Sequence, residues 1–227
     1  MIYLFCNETY GQPLLMSLHT ERFRPPLPIT IVLSGKHDFP NNPFKKLLRQ
    51  LKLTIKNKLK EYQLSKSYGI PVHIVKNINS YAFHKRMKPQ DKGIIFGFNQ
   101  IFQAPTIALF QELVNFHPSI LPLYRGPVPS YWCIKNGEAK TGYTLHRVTP
   151  KIDQGEILFQ EVVEIGEIQD ANCLDQAIAQ KALPTFYQYL DYLATGKPWI
   201  PIKLEAEKIY KIHIDYLSFP SEPICSE

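Results

Sequence analysis

The stretch VNFHPSILPLYRGPVPSYWCIKNGEAKTGYTLHRVTPKIDQGEIL, residues 114–158, decides how this chain is read. It opens at the end of an apolar run, Leu113 and Val114, and sets Asn115 and His117 two residues apart immediately after it. A turn rich in proline and glycine follows (Pro118, Pro122, Gly126, Pro127, Pro129), and a polar loop then brings Asp153. An amide, an imidazole and a carboxylate delivered by loops suit the movement of a carbonyl group between two nucleophiles.

Working outward, the chain alternates. Residues 2–6 (IYLFC) form a short apolar run, which predicts a buried strand. After a turn at Asn7–Gly11, Pro13 fits the first turn of a helix carrying Leu14, Leu15 and Leu18. Strands are predicted at 29–33, 71–75, 93–97 and 112–115, with a short helix between Asn77 and Met87. Phe44, Leu47, Leu48, Leu51, Ile55, Leu59 and Tyr62 recur at helical spacing among lysines, and Gly69 ends that pattern. The stripe predicts a helix with one buried apolar face. Its basic remainder is either a solvated face, a wall near an anionic substrate, or an oligomer contact. Downstream, a helix is expected from Pro129 to Asn136 with Trp132 and Ile134 packed inward, and strands over 141–148 and 156–165. A long helix runs from Ala171 to Leu193 with Leu174, Ile178, Ala182, Phe186 and Leu190 on one stripe.

This order predicts an α/β fold: an open, mainly parallel sheet of doubly wound type with helices on both faces. Residues 1–195 make the main domain. Residues 196–227 form a tail in which Ile212, Ile214 and Tyr216 alternate with Lys211, His213 and Asp215, which predicts a half-buried strand. In such sheets ligands bind beyond the carboxyl ends of strands, where Asn7, the 98–102 loop and Asn115 converge.

Composition sets bounds. A 227-residue chain that is 44% hydrophobic and 20% charged buries a sizeable core. The net charge of +6 favours an anionic partner without naming one. The start, MIYLFCNETYG, does not read as a secretory signal, and no run is apolar enough to span a membrane. Cys6, Cys133, Cys173 and Cys225 have no metal-ligand spacing, so reduced thiols in a cytoplasmic protein and no metal site are expected. NETYGQP stands after the first strand where a G-x-G-x-x-G would be, and no phosphate-loop G-x-x-x-x-G-K-[ST] occurs. A dinucleotide-dependent dehydrogenase and a nucleoside triphosphatase are therefore not expected.

The chemistry follows from residue types. An Asn amide donates to a developing oxyanion. A His two residues on faces the same cavity, and a carboxylate brought near orients the imidazole or takes a proton from an attacking amine. With no Ser or Cys nucleophile in the set, direct transfer through a tetrahedral species is indicated.

Taken together, Asn115-x-His117-Pro118-Ser119, Leu121-Pro122-x-Tyr124-Arg125-Gly126, Trp132, Gly137-Glu138, Thr141-Gly142-x-Thr144-x-His146 and Asp153-x-Gly155 closely resemble the folate-dependent formyltransferase family. That family includes glycinamide ribonucleotide, methionyl-tRNA and sugar N-formyltransferases and formyltetrahydrofolate deformylase. The resemblance implies N10-formyltetrahydrofolate as formyl donor and a catalytic set of Asn115, His117 and Asp153. It implies pterin binding by the loops at Phe98–Phe102 (Phe98, Asn99, Ile101, Phe102) and at Arg147–Asp153 (Arg147, Val148).

The acceptor is approached through what differs. Asn7-Glu8-Thr9-Tyr10-Gly11 does not resemble the Gly/Ser-rich phosphate loop of glycinamide ribonucleotide enzymes, and methionyl-tRNA enzymes usually have Met where His146 stands. The short tail and the first strand at Ile2 match neither a tRNA-binding extension nor a deformylase regulatory domain. The expectation is an anionic small-molecule amine, a nucleotide-linked 4-amino-4,6-dideoxy sugar, contacted by Asn7, Tyr10, Gly11, Arg125, Gly126 and lysines of the 45–60 helix. Nucleic acid and membrane are not expected as partners, and the tail strand suggests a homodimer. A methionyl-tRNA formyltransferase-like enzyme, a formyltetrahydrofolate hydrolase and a non-catalytic folate-binding protein stay open beside it.

Overall fold

The computed structural model describes residues 1–7, 10–20, 28–35 and 43–196. The expected strand at 211–216 lies outside the described residues. Elements follow in the order β1 (Ile2–Cys6), α1 (Gln12–Thr20), β2 (Ile29–Ser34), α2 (Pro43–Tyr68), β3 (Val72–Val75), α3 (Tyr81–His84), β4 (Lys92–Phe96), α4 (Ala104–Ile107), β5 (Glu112–His117), α5 (Pro129–Lys135), β6 (Lys140–Arg147), β7 (Ile157–Glu164) and α6 (Ala171–Thr195). The seven strands form one sheet ordered β3-β2-β1-β4-β5-β6-β7. The first five run parallel, with Ile2 paired to Ile29 on one side and to Lys92 on the other. The last two pairings are antiparallel.

All five residues of β1 are buried, which is why IYLFC is apolar throughout: a central parallel strand is covered on both faces. Alternation along it divides the core in two. Ile2, Leu4 and Cys6 face the layer made by α1 and α6, with Leu14, Leu18, Phe96, Val114, Phe116, Leu174 and Phe186. Tyr3 and Phe5 face a smaller aromatic layer with Phe83, Phe102, Phe110 and Leu113. The expected stripe of α6 is buried at every position, from Leu174 to Leu190. Asp170 caps its first turn by accepting from Cys173 N at 2.8 Å, and Gly196 ends it at φ 69°.

Three expectations are corrected. The stripe of α2 does not face the core over its described side chains: Ile55, Leu59 and Tyr62 are 62%, 58% and 69% exposed. The packed face instead carries Glu61, Leu64 and Tyr68. The cause is the edge strand β3. Glu61 Oε1 accepts from Ile74 N at 2.7 Å and Ser65 Oγ accepts from Val72 N at 2.9 Å, so α2 is turned to give its polar groups to unpaired strand amides. The second correction concerns β5, which continues past Asn115 to His117 because β6 pairs alongside it, Asn115 with His146 and His117 with Thr144. Asn115 and His117 therefore sit within a strand, held by a ladder on both sides of Asn115. The helix expected between Asn77 and Met87 is the single turn α3, capped by Ser80.

Candidate active site

A cavity of about 520 Å³ opens over the carboxyl ends of β1, β4 and β5. Asn115, His117, His146 and Asp153 all line it. The strand period puts Asn115 and His117 on one face, and the register with β6 sets His146 directly beside Asn115. Asp153 comes from the loop between β6 and β7 and adopts a left-handed conformation, φ 49°. That loop is closed by the Arg147 N–H donating to Glu156 O at 2.9 Å, with Gly155 packed on the Arg147 carbonyl so closely that a Cβ would fall 1.7 Å from its oxygen.

The proton positions follow from the partners. His117 Nε2 donates to Tyr124 O at 2.8 Å, which leaves Nδ1 as the unprotonated nitrogen, 3.5 Å from Asp153 Oδ2. Tyr124 delivers that carbonyl from a left-handed backbone, φ 54°, while its hydroxyl donates to Glu138 at 2.5 Å and accepts from Asn136 at 3.0 Å. Burial lowers the His117 pKa against the attraction of Asp153, so the imidazole is neutral at neutral pH. His146 Nδ1 donates to Arg147 O at 2.9 Å, and its Nε2 lies 3.2 Å from the Asn115 amide nitrogen and 3.5 Å from Asp153 Oδ1. Burial alone would raise Asp153. The attraction of His117 once it is protonated, then His146 and the Gly126 N–H, which donates to Oδ2 at 2.7 Å, outweigh it and hold the carboxyl at about 2. An ionised carboxylate, a neutral imidazole and a side-chain amide thus face one space. This set can donate to an oxyanion and hold or pass a proton.

Most of the residues singled out from sequence line the same cavity: Asn7, Tyr10, Phe98, Asn99, Ile101, Phe102, Gly126 and Val148. Three stand behind the lining. Gly11 donates its N–H to Asn7 Oδ1 at 3.1 Å and packs against Asn7 O and Cys6. The Arg125 side chain donates to Asp153 O at 3.1 Å and so braces the loop. The Arg147 side chain is held by Glu112 at 2.7 Å and Glu156 at 2.8 Å. None of the described lysines of α2 lines the cavity.

The cavity straddles the two core layers. Phe98, Phe102 and Val148 belong to the aromatic layer, and with Ile101 and Ile152 they form an apolar, partly exposed end suited to a flat ring. Tyr10 belongs to the other layer, and with α5 and α6 it forms the opposite end. Sequence reasoning missed Gln100, which lines the cavity and ties Ile78 N, Ser34 Oγ and Val75 O together, and Asp175 of α6. His146 was visible only as a motif position. Its place beside Asn115 needs the pairing of β5 with β6, which no local pattern encodes.

A family profile described as Formyl transferase matches residues 53–190. A methionyl-tRNA formyltransferase from Geobacter sulfurreducens is 33% identical over 114 residues, 50% of this chain and 36% of that protein. The bifunctional polymyxin resistance protein ArnA from Wigglesworthia glossinidia brevipalpis is 40% identical over 140 residues, 59% of this chain and 21% of that protein. The matches thus span well under half of those relatives' lengths. Among solved structures, a 4-N formyltransferase from Francisella tularensis superposes with TM-score 0.62 at 18% identity, over 90% of this chain and 73% of that one. With the family profile covering more than half of its 227 residues, the chain belongs to the folate-dependent formyl transferase family.

Proposed function

We propose that this protein transfers a formyl group from N10-formyltetrahydrofolate to the primary amine of a nucleotide-linked 4-amino-4,6-dideoxy sugar. The observation that carries the transfer is the convergence of Asn115, His117 and Asp153 on one cavity with their protonation states set apart. The donor fits the residues present. Phe98, Phe102, Val148 and Ile152 offer an apolar slot for the pterin, and Asn99, Gln100 and the loop at 147–153 offer polar edges to it. On this reading the formyl carbon would lie at the polar centre of the cavity.

Asn115 uses one amide proton toward His146 and has a second for the formyl oxygen as that oxygen gains charge. His117 offers Nδ1 to the proton leaving the attacking nitrogen, and Asp153 stabilises the imidazolium that results. The same proton then goes to the departing donor nitrogen, so the pair starts each turnover unchanged. Oriented groups of this kind each contribute roughly 10²-fold or more.

The acceptor reading is supported by the likeness to ArnA and by the fold shared with a 4-N formyltransferase and with a sugar N-formyltransferase from Shewanella. Likeness to glycinamide ribonucleotide and methionyl-tRNA enzymes stands beside it, so the test is a parallel one. Purified protein receives the same formyl donor with a thymidine-diphosphate-linked 4-amino-4,6-dideoxyhexose, glycinamide ribonucleotide, charged initiator methionyl-tRNA, or no amine. Formylation of the aminosugar alone is expected. Formylation of charged tRNA with no aminosugar product removes the sugar reading and leaves formyl transfer standing; formate release without any amine product removes transfer itself.

A further inference from the structure

The end of the cavity opposite the pterin slot contains a group that the reaction as described does not use. Asp175, on the first turns of α6, lines the cavity and is only partly exposed. Its Oδ1 is held by the Ser130 hydroxyl of α5. Across from it is Tyr10, whose ring stacks on Phe96 at 5.0 Å and is pressed by Gly97. The Tyr10 hydroxyl is fully buried and has no hydrogen-bond partner among the described residues. Buried donors are nearly always met by protein, water or a bound group, so an unmet one calls for a partner. Among the described residues the groups facing Asp175 are neutral or acidic: Ser130 and the Cys133 thiol from α5, Tyr10 from the loop after β1, and Asp170 at the start of α6. No Lys or Arg among the described residues lines the cavity. A carboxylate, an unmet hydroxyl and no resident cation describe a place for a cationic group brought by a ligand.

We propose that Asp175, held by Ser130 and faced by Tyr10, anchors the acceptor: its carboxylate takes the ammonium form of the incoming amine and accepts the proton that must leave before the nitrogen can attack. This rests on the reading above that a primary amine is the acceptor. One N–H bond breaks, its proton passes to Asp175 Oδ2, and the electron pair stays on nitrogen. The second proton leaves as the new C–N bond forms and passes through His117 to the departing donor nitrogen. Asp175 releases its proton to solvent after the product leaves, so the net change is one ammonium converted to one formamide with one proton released. The division of labour follows from the two carboxyls. Asp153, at about 2, is too weak a base for this step, whereas burial raises Asp175 to about 6. The Tyr10 hydroxyl fixes a neighbouring oxygen of the acceptor and thereby its orientation.

The test uses full-length Asp175→Asn, Asp175→Glu and Tyr10→Phe proteins with the aminosugar nucleotide and glycinamide ribonucleotide as acceptors. Calorimetric binding of the 4-amino nucleotide and its 4-hydroxy counterpart is measured in parallel. Asp175→Asn is expected to raise acceptor KM at least tenfold, to leave donor KM within twofold, and to bring the affinities for amine and hydroxyl nucleotides together. Asp175→Glu restores part of the discrimination, which a merely structural carboxylate would not do. Tyr10→Phe raises acceptor KM with its fold intact, since only an unbonded oxygen is removed. Unchanged acceptor KM and unchanged amine-over-hydroxyl preference in Asp175→Asn overturn the proposal. Wild-type protein that makes no formylated amine at all overturns it too, but through the reading it rests on, and the wild-type lane separates the two failures.

Discussion

At the residue scale, the proposed site brings together three titratable groups that their surroundings drive in different directions. Burial keeps His117 neutral, the Gly126 N–H and two imidazoles keep Asp153 ionised, and burial with an acidic neighbour lifts Asp175. Exchanging any one alters a protonation state more than a shape. Asn115→Ala, His117→Ala and Asp153→Asn are each expected to lower kcat about 10²-fold or more, with unfolding midpoints near wild type for Asn115→Ala. Steady-state rates on one acceptor decide it, and near-wild-type turnover in any two variants would remove the site. Asn115 and His117 were readable in the sequence as an i, i+2 pair after an apolar run within a motif that resembles the formyltransferases; that both lie inside a strand was not, because it depends on β6 pairing alongside. Asp175 was not, because an acidic residue near a helix start reads as a charge on a solvated first turn until the packing of α6 against α5 is known.

At the element scale, the loops at the cavity are braced by their neighbours. The D-x-G at 153–155 looks like turn chemistry, yet Gly155 is required by close approach to the Arg147 carbonyl. The same carbonyl accepts the His146 Nδ1 proton and so fixes which nitrogen faces Asn115. Gly155→Ala must displace that oxygen or the loop. It is therefore expected to cost ten-fold or more in turnover, on the scale of a misplaced catalytic group, at the same time as it lowers stability. A crystal structure or the His146 ring signals by NMR would show the altered tautomer environment, and unchanged turnover would refute the link. The helix α2 teaches the opposite lesson. Its period was legible but its orientation was not, since hydrogen bonds from β3 amides to Glu61 and Ser65 outrank three apolar side chains in setting the buried face. Glu61→Leu leaves the Ile74 N–H unmet and should destabilise by about 1–3 kcal/mol without touching turnover per folded molecule, which denaturant melts and active-site titration would separate.

At the scale of the whole molecule, a mainly parallel sheet covered by helices was implied by alternation of apolar runs and helical stripes, and the two-layer core follows from β1 being apolar at every position. What local patterns could not supply is how the layers share the cavity and which titratable groups they bury, and those groups set stability against pH. His117 and His73 have lowered pKa values in the folded state, both first through burial. The unfolded chain binds their protons first, so their contribution to stability falls as pH drops below about 6.5. Asp175 has the opposite sign. Its folded value is raised to about 6 from 3.8, so the folded state binds the proton first; its contribution is fully present below 3.8 and is lost as pH rises through 6. A shift of that size corresponds to an order of 3 kcal/mol of strain held at neutral pH. Asp175→Asn keeps the Ser130 partner and removes the charge, so at pH 7.5 it is expected to be more stable than wild type by about 1–3 kcal/mol, a rise of several degrees in Tm. As pH falls from 6.5 to 4 the advantage should shrink, because wild-type Asp175 takes up its proton while the histidines destabilise both proteins alike. Thermal melts of the two proteins across that range measure the difference directly. A variant less stable than wild type at pH 7.5, or an advantage that grows toward pH 4, would show that Asp175 is a structural carboxylate and not a group kept under strain for the acceptor.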